Sequence, residues 1–532
     1  MKNHPPPYQI IFNWDGTPHG YSEYPQSLTQ LLDHTYAPLE NTQVGALFWC
    51  VGTDEASWPS KTIPLRGDAE NRRYETVKQL RRAESMRTLW ERGENPHTAL
   101  VERGHQMGLH VFASIRMNDN HFWSDSARRQ PPLRPEDMAT TSRPGLTQLR
   151  KDHPEWCLGT EQAPRWAATS WNLSIAAVRQ HRFQYIAEAC RSADWDGVEL
   201  DWQRHAFHLP EDDAFRLRYT LTDLQRAVRR LADEISAERG RPFYVAVRIG
   251  ATLETCRRVG YDLETWLDED LCDIVATNAN SGTDPGVEVE EYLRLGKTNG
   301  VQLYPGFDSH WEGGAGRLIA SGEWLTAWQR GLAKGFYDRG AHGVYIFNWH
   351  ATGDSHRHLL TTLGASETLA HTDKVYAPVY RFQRARSELR YGAERDDRLY
   401  GELPVALYPT LTGGGPTFHL SVHDDVETAA KTGSLAAIEL HIELEHYSPA
   451  DEVEVVLDGD ILPQATASNI AAENPGDPSD VHENSWLVWT LTPAQLHNGE
   501  HTIEVRLVKR DPRINPELVI QHVEIHIKYS TT

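Results

Sequence analysis

Cysteine is scarce in this chain: five in 532 residues, at positions 50, 157, 190, 256 and 272. Their odd number and the lack of any Cys-x-x-Cys pair argue against a disulfide framework or a zinc site, and leave buried free thiols as the expectation. Positive charge is also in short supply, with 53 Lys and Arg against 75 Asp and Glu and a formal net charge of -22. Such a field repels phosphate backbones and anionic lipid, so neither nucleic acid nor a membrane surface is expected as a partner. A small anionic ligand stays admissible, because a local arginine cluster can outweigh the global field. No apolar run approaches the length of a membrane span. The first residues, Met-Lys-Asn-His-Pro-Pro-Pro-Tyr, lack the apolar core of a secretion signal. A cytoplasmic, soluble chain is the expectation, with export by another route left open. Solenoid repeats and low-complexity tracts are absent as well.

What is present is enough for two to four domains, with 39% hydrophobic residues, 17 Trp and 20 Tyr to fill a core and line a groove. Up to about residue 365, short apolar runs alternate with helix-length amphipathic segments such as 176–193 and 211–239, the pattern of parallel α/β architecture. Eight strand candidates can be counted: Gln9–Asn13, Gly45–Val51, Leu109–Ile115, Gly197–Trp202, Tyr244–Ile249, Ile274–Thr277, Val301–Tyr304 and Gly343–Asn348. No Gly-x-Gly-x-x-Gly follows the first, which disfavours a dinucleotide fold. The expected fold is a (β/α)8 barrel over residues 1–365. A connecting segment over 366–403 and a β-sandwich of immunoglobulin-like type over 404–532 complete it.

Alternation in Trp195-Asp-Gly-Val-Glu-Leu-Asp-Trp-Gln-Arg-His205 puts Val198 and Leu200 on one strand face and Glu199 and Asp201 on the other. In a closed barrel the second face points inward, towards the mouth where (β/α)8 active sites sit. The other strands also end in polar or aromatic residues: Asn13-Trp14-Asp15, Arg116-Met-Asn118-Asp119-Asn-His121, Arg248, Asn278, Asp308-Ser-His310-Trp311 and Asn348-Trp349-His350. Helix capping alone does not explain so many, and the mouth reads as catalytic. Hydrogen-bonding side chains beside Trp14, Trp123, Trp202, Trp311 and Trp349 suit a sugar. The third connection, about 118–173, is long enough to roof the site.

Glycoside hydrolysis needs a proton donor and either a base or a nucleophile. Glu199 and Asp201 are one candidate pair, but their roots lie only about 7 Å apart on one strand, which makes Glu199 a supporting group. Asp15 and His121 come from different strands and can face one another as base and acid. A metal held by Asp15, His121, Asp201, Asp308, His310 and His350 is conceivable, yet neither a His-x-His on the first strand nor a His-Glu-x-x-His is found, and no metal or other cofactor is expected. Arg116, Arg204 and Arg248 tilt the reading towards an acidic sugar, because the guanidinium fork matches a carboxylate.

The strand ends Phe12-Asn-Trp-Asp-Gly16, Arg116-Met-Asn-Asp119, Asp196-Gly-Val-Glu-Leu-Asp-Trp-Gln-Arg204 and Phe347-Asn348 resemble the inverting sialidases of glycoside hydrolase family 156. The Asp-Gly-Val-Glu-Leu-Asp segment is also similar to a broader group of barrel glycosidase-like proteins. The resemblance implies a barrel plus β-sandwich and an exo-sialidase acting on sialoside glycans by single displacement. It implies Asp15 as base and a histidine of the third connection as acid, His121 in preference to His153. Arg204 and Asn348 would meet the substrate carboxylate and polar groups. Asn13, Trp14, Arg116, Asn118, Arg248 and Asn278 are further contact candidates, with Asp119 in support.

From about Pro404 the pattern changes to short alternating runs: 418–422, 436–445, 452–457, 485–491, 501–508 and 517–528, divided by turns such as Leu457-Asp-Gly459 and Asn498-Gly499. A carbohydrate-binding role is one reading of this region. Its tryptophans, 486 and 489, have core-like spacing and favour a structural cap or a dimerisation module, which would make the chain a homodimer.

Overall fold

A computed structural model describes residues 4–14, 24–120, 133–163, 167–277, 283–308, 322–347, 357–379, 401–468 and 484–530. Eight parallel strands close into a barrel in sequence order. They are β1 (Ile10–Trp14), β2 (Val44–Gly52), β3 (His110–Arg116), β4 (Gly197–Asp201), β5 (Tyr244–Ile249), β6 (Ile274–Thr277), β7 (Gln302–Asp308) and β8 (Val344–Phe347). Each expected strand is found within a residue or so, except β7. That strand runs past Tyr304, where the sequence reading ends it, and through Pro305. It pairs with β6 as far as Pro305 and with β8 from Gly306 onwards, so the proline sits where the strand changes partner.

The period of two divides each strand between two cores. Ile10, Phe12, Leu47, Val111, Ile115, Val198, Leu200, Val245, Val247 and Val344 pack outward with the surrounding helices. Ile11, Phe48, Phe112, Ala246, Ala276, Tyr304, Tyr345 and Phe347 fill the interior. Glu199 and Asp201 lie between the outward residues of β4 and are both buried, as alternation requires. The helices are delimited by ordinary caps. Ser27 and Thr76 each close a capping box, and the 21-residue helix Tyr219–Arg239 ends at Gly240 in the left-handed conformation. The segment expected as one helix over 211–239 is broken into a 3-10 turn, a short helix and this long one.

The C-terminal region forms two antiparallel sheets. One contains β9 (Lys374–Tyr376), β10 (Val405–Leu407), β12 (Leu435–Glu445), β15 (Thr466–Ser468), β16 (Asn484–Thr490) and β18 (Leu518–Tyr529). The other contains β11 (Thr417–Val422), β13 (Glu452–Leu457), β14 (Asp460–Ile461) and β17 (Gly499–Lys509). Leu440, Ile442 and Ile525 of the first share one apolar core with Leu420, Val455 and Val505 of the second, so the sheets face each other as a sandwich. Its strand order does not by itself make it immunoglobulin-like. Asp458 and Gly459 turn β13 into β14 with φ of 49° and 93°, a turn that asks for glycine at the second position.

The connecting segment serves both regions. β9 pairs with β18, and the helix Gly322–Asp338 lies so close that a Cβ on Gly331 would meet the Val375 carbonyl at 2.4 Å. Trp324 of this helix donates from Nε1 to Glu524 Oε2 at 3.1 Å. All five cysteines are buried and free. No described helix is long and apolar enough to cross a membrane.

Candidate functional site

Two polar rings lie at the carboxyl end of the barrel interior. In the deeper ring Ser114, Glu199 and Ala246 are in register. Glu199 Oε2 accepts from Asn13 Nδ2 at 2.8 Å, and Oε1 accepts from the Tyr345 hydroxyl at 2.6 Å. The Asn13 amide also reaches Ser114 Oγ at 3.2 Å. Burial, with the nearby charge of Asp201 second, pushes the Glu199 carboxyl up to about 7, although Ser114, Tyr345 and Arg248 pull the other way. Burial and Glu199 likewise hold the Tyr345 phenol well above its ordinary value.

In the ring above, Arg116, Asp201 and Arg248 are in register across β3, β4 and β5. Arg248 Nη1 donates to Asp201 Oδ1 at 2.8 Å, and both residues are almost wholly buried. The same oxygen caps the turn after β4 by accepting from the Gln203 and Arg204 backbone N–H groups at 3.1 and 3.0 Å. Burial works against the Arg248 charge, yet Asp201, Tyr345 and Glu199 hold it above its usual value. Breaking such a buried pair costs about 3–5 kcal/mol. Arg116 pairs with Asp119 at 3.1 Å. The guanidinium carbons of Arg248, Arg204 and Arg116 stand 3.8, 5.5 and 5.9 Å from the centre of the Phe347 ring. Three cations therefore share one aromatic floor at the barrel mouth.

The long third connection is tied to this mouth by buried polar bonds. Asp54, just after β2, accepts from Arg150 Nε at 2.9 Å and from Trp171 Nε1 at 2.6 Å. Arg150 lies 4.1 Å over the Trp171 ring. Arg182 joins the carbonyls of Thr53 and Arg116 at 2.6 and 2.9 Å. His205, buried beside Arg204, accepts the Asn120 N–H on Nδ1 at 3.0 Å, which puts a neutral ring's proton on Nε2.

The expected site residues divide into several groups. Asp15, His121, Asn278 and Asn348 lie outside the described residues, as do Trp123, His310, Trp311, Trp349 and His350. Asn13, Arg116, Glu199, Asp201, Arg204 and Arg248 are brought together, with Asp119 beside them. Trp14 is not: it packs outward against Phe12 and His34, because alternation turns it away when Asn13 faces in. Trp202 likewise packs against Tyr261 and Trp266 in the outer core. The Asn118 amide is committed to protein: it donates to Phe207 O and His208 Nδ1 at 2.7 and 3.0 Å and accepts from Trp171 N at 2.9 Å. His208 in turn donates from Nε2 to Trp202 O at 2.8 Å, and burial lowers it to about 4, so it stays neutral. His153 stacks on Trp156 at 4.1 Å and bonds Glu155 at 2.8 Å, both close neighbours in sequence.

Sequence reasoning overlooked Ser114 and Tyr345, and quoted Phe347 only as part of the Phe347-Asn348 strand end. The alternation that found Glu199 also points Tyr345 and Phe347 inward, but aromatic residues within a strand read as filling. Among the described residues, Asp458, His497 and His501 of the sandwich bring possible metal-ligand atoms within 4.8 Å of one another. His501 already spends its two nitrogens on Asp458 Oδ2 and the His497 carbonyl, at 2.6 and 2.9 Å, so the group reads as a turn clasp.

The fold and site together define a closed parallel barrel with a buried, arginine-rich mouth. No family model matches the chain, and no curated protein does. Among solved structures it is similar to an α-L-fucosidase isoenzyme 2 from Paenibacillus thiaminolyticus, with TM-score 0.37, 12% identity, and coverage of 70% of this chain and 51% of that one. A chitinase-like agglutinin from Robinia pseudoacacia has TM-score 0.36 and 9% identity, covering 67% and 99%. A GH36 α-galactosidase from Geobacillus stearothermophilus has TM-score 0.33 and 11% identity, covering 94% and 55%. The chain spans about half the length of the fucosidase.

Proposed function

We propose that this chain is a glycoside hydrolase for an acidic sugar, an exo-sialidase that releases terminal α-linked sialic acid with inversion. The observation that supports it most is the set of three guanidiniums around Phe347, in a chain whose net charge is -22. Arg248 and Arg116 also pair with Asp201 and Asp119; a neutral hexose does not call for a guanidinium, whereas a carboxylate accepts two parallel hydrogen bonds from one fork. Asp15 would act as the base that activates water, and His121, or His153 in its place, as the acid that protonates the leaving oxygen. A base acting through water suits a sialoside, because a carboxylate nucleophile would approach an anomeric carbon that already bears a negative group. Arg204, Arg116 and Arg248, with Asn278 and Asn348, would hold the substrate.

The test is to incubate the protein with an aryl α-sialoside and follow the released sugar by proton NMR. The β-anomer should appear first, and Asp15→Asn and His121→Ala should each abolish release. The raised Glu199 carboxyl favours a second reading, a glycosidase for another sugar that uses Glu199 and Asp201. In that case Glu199→Gln would be inactive while Asp15→Asn still turned over. Saturable sugar binding without hydrolysis of any glycoside would point instead to a binding protein.

A further inference from the structure

The two oxygens of the Asp201 carboxylate are treated very differently. Oδ1 accepts three hydrogen bonds, from Arg248 Nη1 and from the backbone N–H groups of Gln203 and Arg204. Three donors on one oxygen fix the plane of the group, so it cannot swing to find a partner for the other. Oδ2 has none among the described residues, although the residue is only 1% exposed. A buried charged acceptor left unmet is costly and asks for an explanation. Packing supplies none, because Asp201 faces the barrel interior at the mouth, in register with Arg116 and Arg248. Glu199 in the ring beneath has both of its oxygens engaged, by Tyr345 and Asn13.

We propose that Asp201 Oδ2 accepts a hydrogen bond from the bound sugar, from a hydroxyl or amide N–H that lies beside the sugar's carboxylate. This rests on the acidic-sugar reading above and makes Asp201 a specificity-determining residue of the same mouth. The arginines attract any carboxylate, and Asp201 repels one that brings charge alone. A ligand that offers both a carboxylate and a neighbouring donor satisfies the whole ring. A bare carboxylate leaves Oδ2 unmet and adds a like charge next to it. Discrimination would therefore come from pairing opposite demands within one ring rather than from the cations alone.

The test is calorimetric binding of the α-methyl glycoside of N-acetylneuraminic acid and of its singly deoxygenated and de-N-acylated derivatives. At least one deletion should weaken binding to the natural protein by about tenfold or more, the scale of one hydrogen bond to a charged group. In Asp201→Asn, which keeps an oxygen for Arg248 and the backbone donors, the same deletion should cost less than about twofold. Reducing the ligand carboxylate to an alcohol should still weaken binding to both proteins. If Asp201→Asn does not fold, the natural protein decides alone, and a series with no deletion above twofold overturns the assignment. A sialoside that binds and is hydrolysed with no such discrimination overturns Asp201 while leaving the sialidase reading intact. If no sialoside binds, the deletion series is repeated on methyl glucuronides. Discrimination there upholds Asp201 while the sialidase reading falls, and absence of binding or of discrimination overturns both.

Discussion

The amino end and the carboxyl end of the barrel interior are filled by the same strands with different chemistry. At the amino end Tyr8 meets Phe112 and Tyr304 with ring centroids 6.4 and 6.3 Å apart, and Phe112 stacks on Tyr244 at 6.4 Å. Each phenol there has a partner. Tyr8 bonds His110 Nδ1 at 2.6 Å, Tyr304 donates to Gln302 Oε1 at 2.7 Å, and Tyr244 donates to the His4 carbonyl at 3.3 Å. At the carboxyl end the carboxyls of Glu199, Asp201 and Asp119 crowd one space with three guanidiniums, and among the described residues Asp201 keeps an oxygen unmet. Aromatic packing with every hydroxyl satisfied holds the barrel closed. Charges packed without full satisfaction cost stability, and such costs are tolerated where a ligand or reaction draws on them.

The comparison breaks most visibly at Arg248. Arg248→Met keeps an apolar stem against Phe347 but leaves Asp201 buried without its counter-ion. Urea unfolding should show a loss of about 3–5 kcal/mol, and binding of any acidic glycoside should disappear with it. Phe112→Ala at the other end should cost a similar 3–5 kcal/mol, because the ring fills the closed floor. There the comparison predicts a split: kcat and KM for any substrate found should stay within about twofold, since Phe112 stands two rings from Glu199's donor Tyr345, meeting Phe48 at 4.5 Å, which in turn meets Tyr345 at 6.1 Å. A large change in kcat for Phe112→Ala would show that the two ends are coupled, and that the floor is more than a plug.

Much of this division was legible in the sequence. Period-two alternation alone puts Glu199 and Asp201 inside, and the arginines at 116 and 248 follow from the same rule. Trp14 was misplaced for want of applying that rule, because its position beside Asn13 suggested the rim when its parity sends it outward. Asn118 and His208 pair across 90 residues, and no local pattern announces a partner at that distance. β9 is only three residues long and earns its strand geometry from β18, some 150 residues later, so it carries no period to read. The reading of β7 ends at Tyr304, but the strand continues through Pro305, where it changes partner from β6 to β8.

The finer contrast is in protonation. Glu199 has a folded pKa raised to about 7 against an ordinary 4.5, so the folded state binds the proton more tightly than the unfolded chain. Its contribution is fully present below pH 4.5 and is lost as pH rises through 7. The loss is on the order of 3 kcal/mol. Relative to Glu199→Gln, the natural protein's urea midpoint should therefore fall across this window, the difference removing what buried histidines such as His208, lowered to about 4, add to both profiles. At the amino end the raised phenols Tyr8 and Tyr304 remain protonated across this range, and His110, lowered chiefly by burial, gives the opposite slope, with stability lost as pH falls below its ordinary 6.5. Tyr345→Phe gives the smallest effect. It removes the hydroxyl that donates to Glu199 Oε1 at 2.6 Å, a bond that stabilises the ionised carboxyl by about 1 kcal/mol. The proton should then be held more tightly, and the fall in stability should move to higher pH by somewhat less than one unit. A fall that moved to lower pH would mean that Tyr345 accepts from a protonated Glu199 rather than donating to an ionised one.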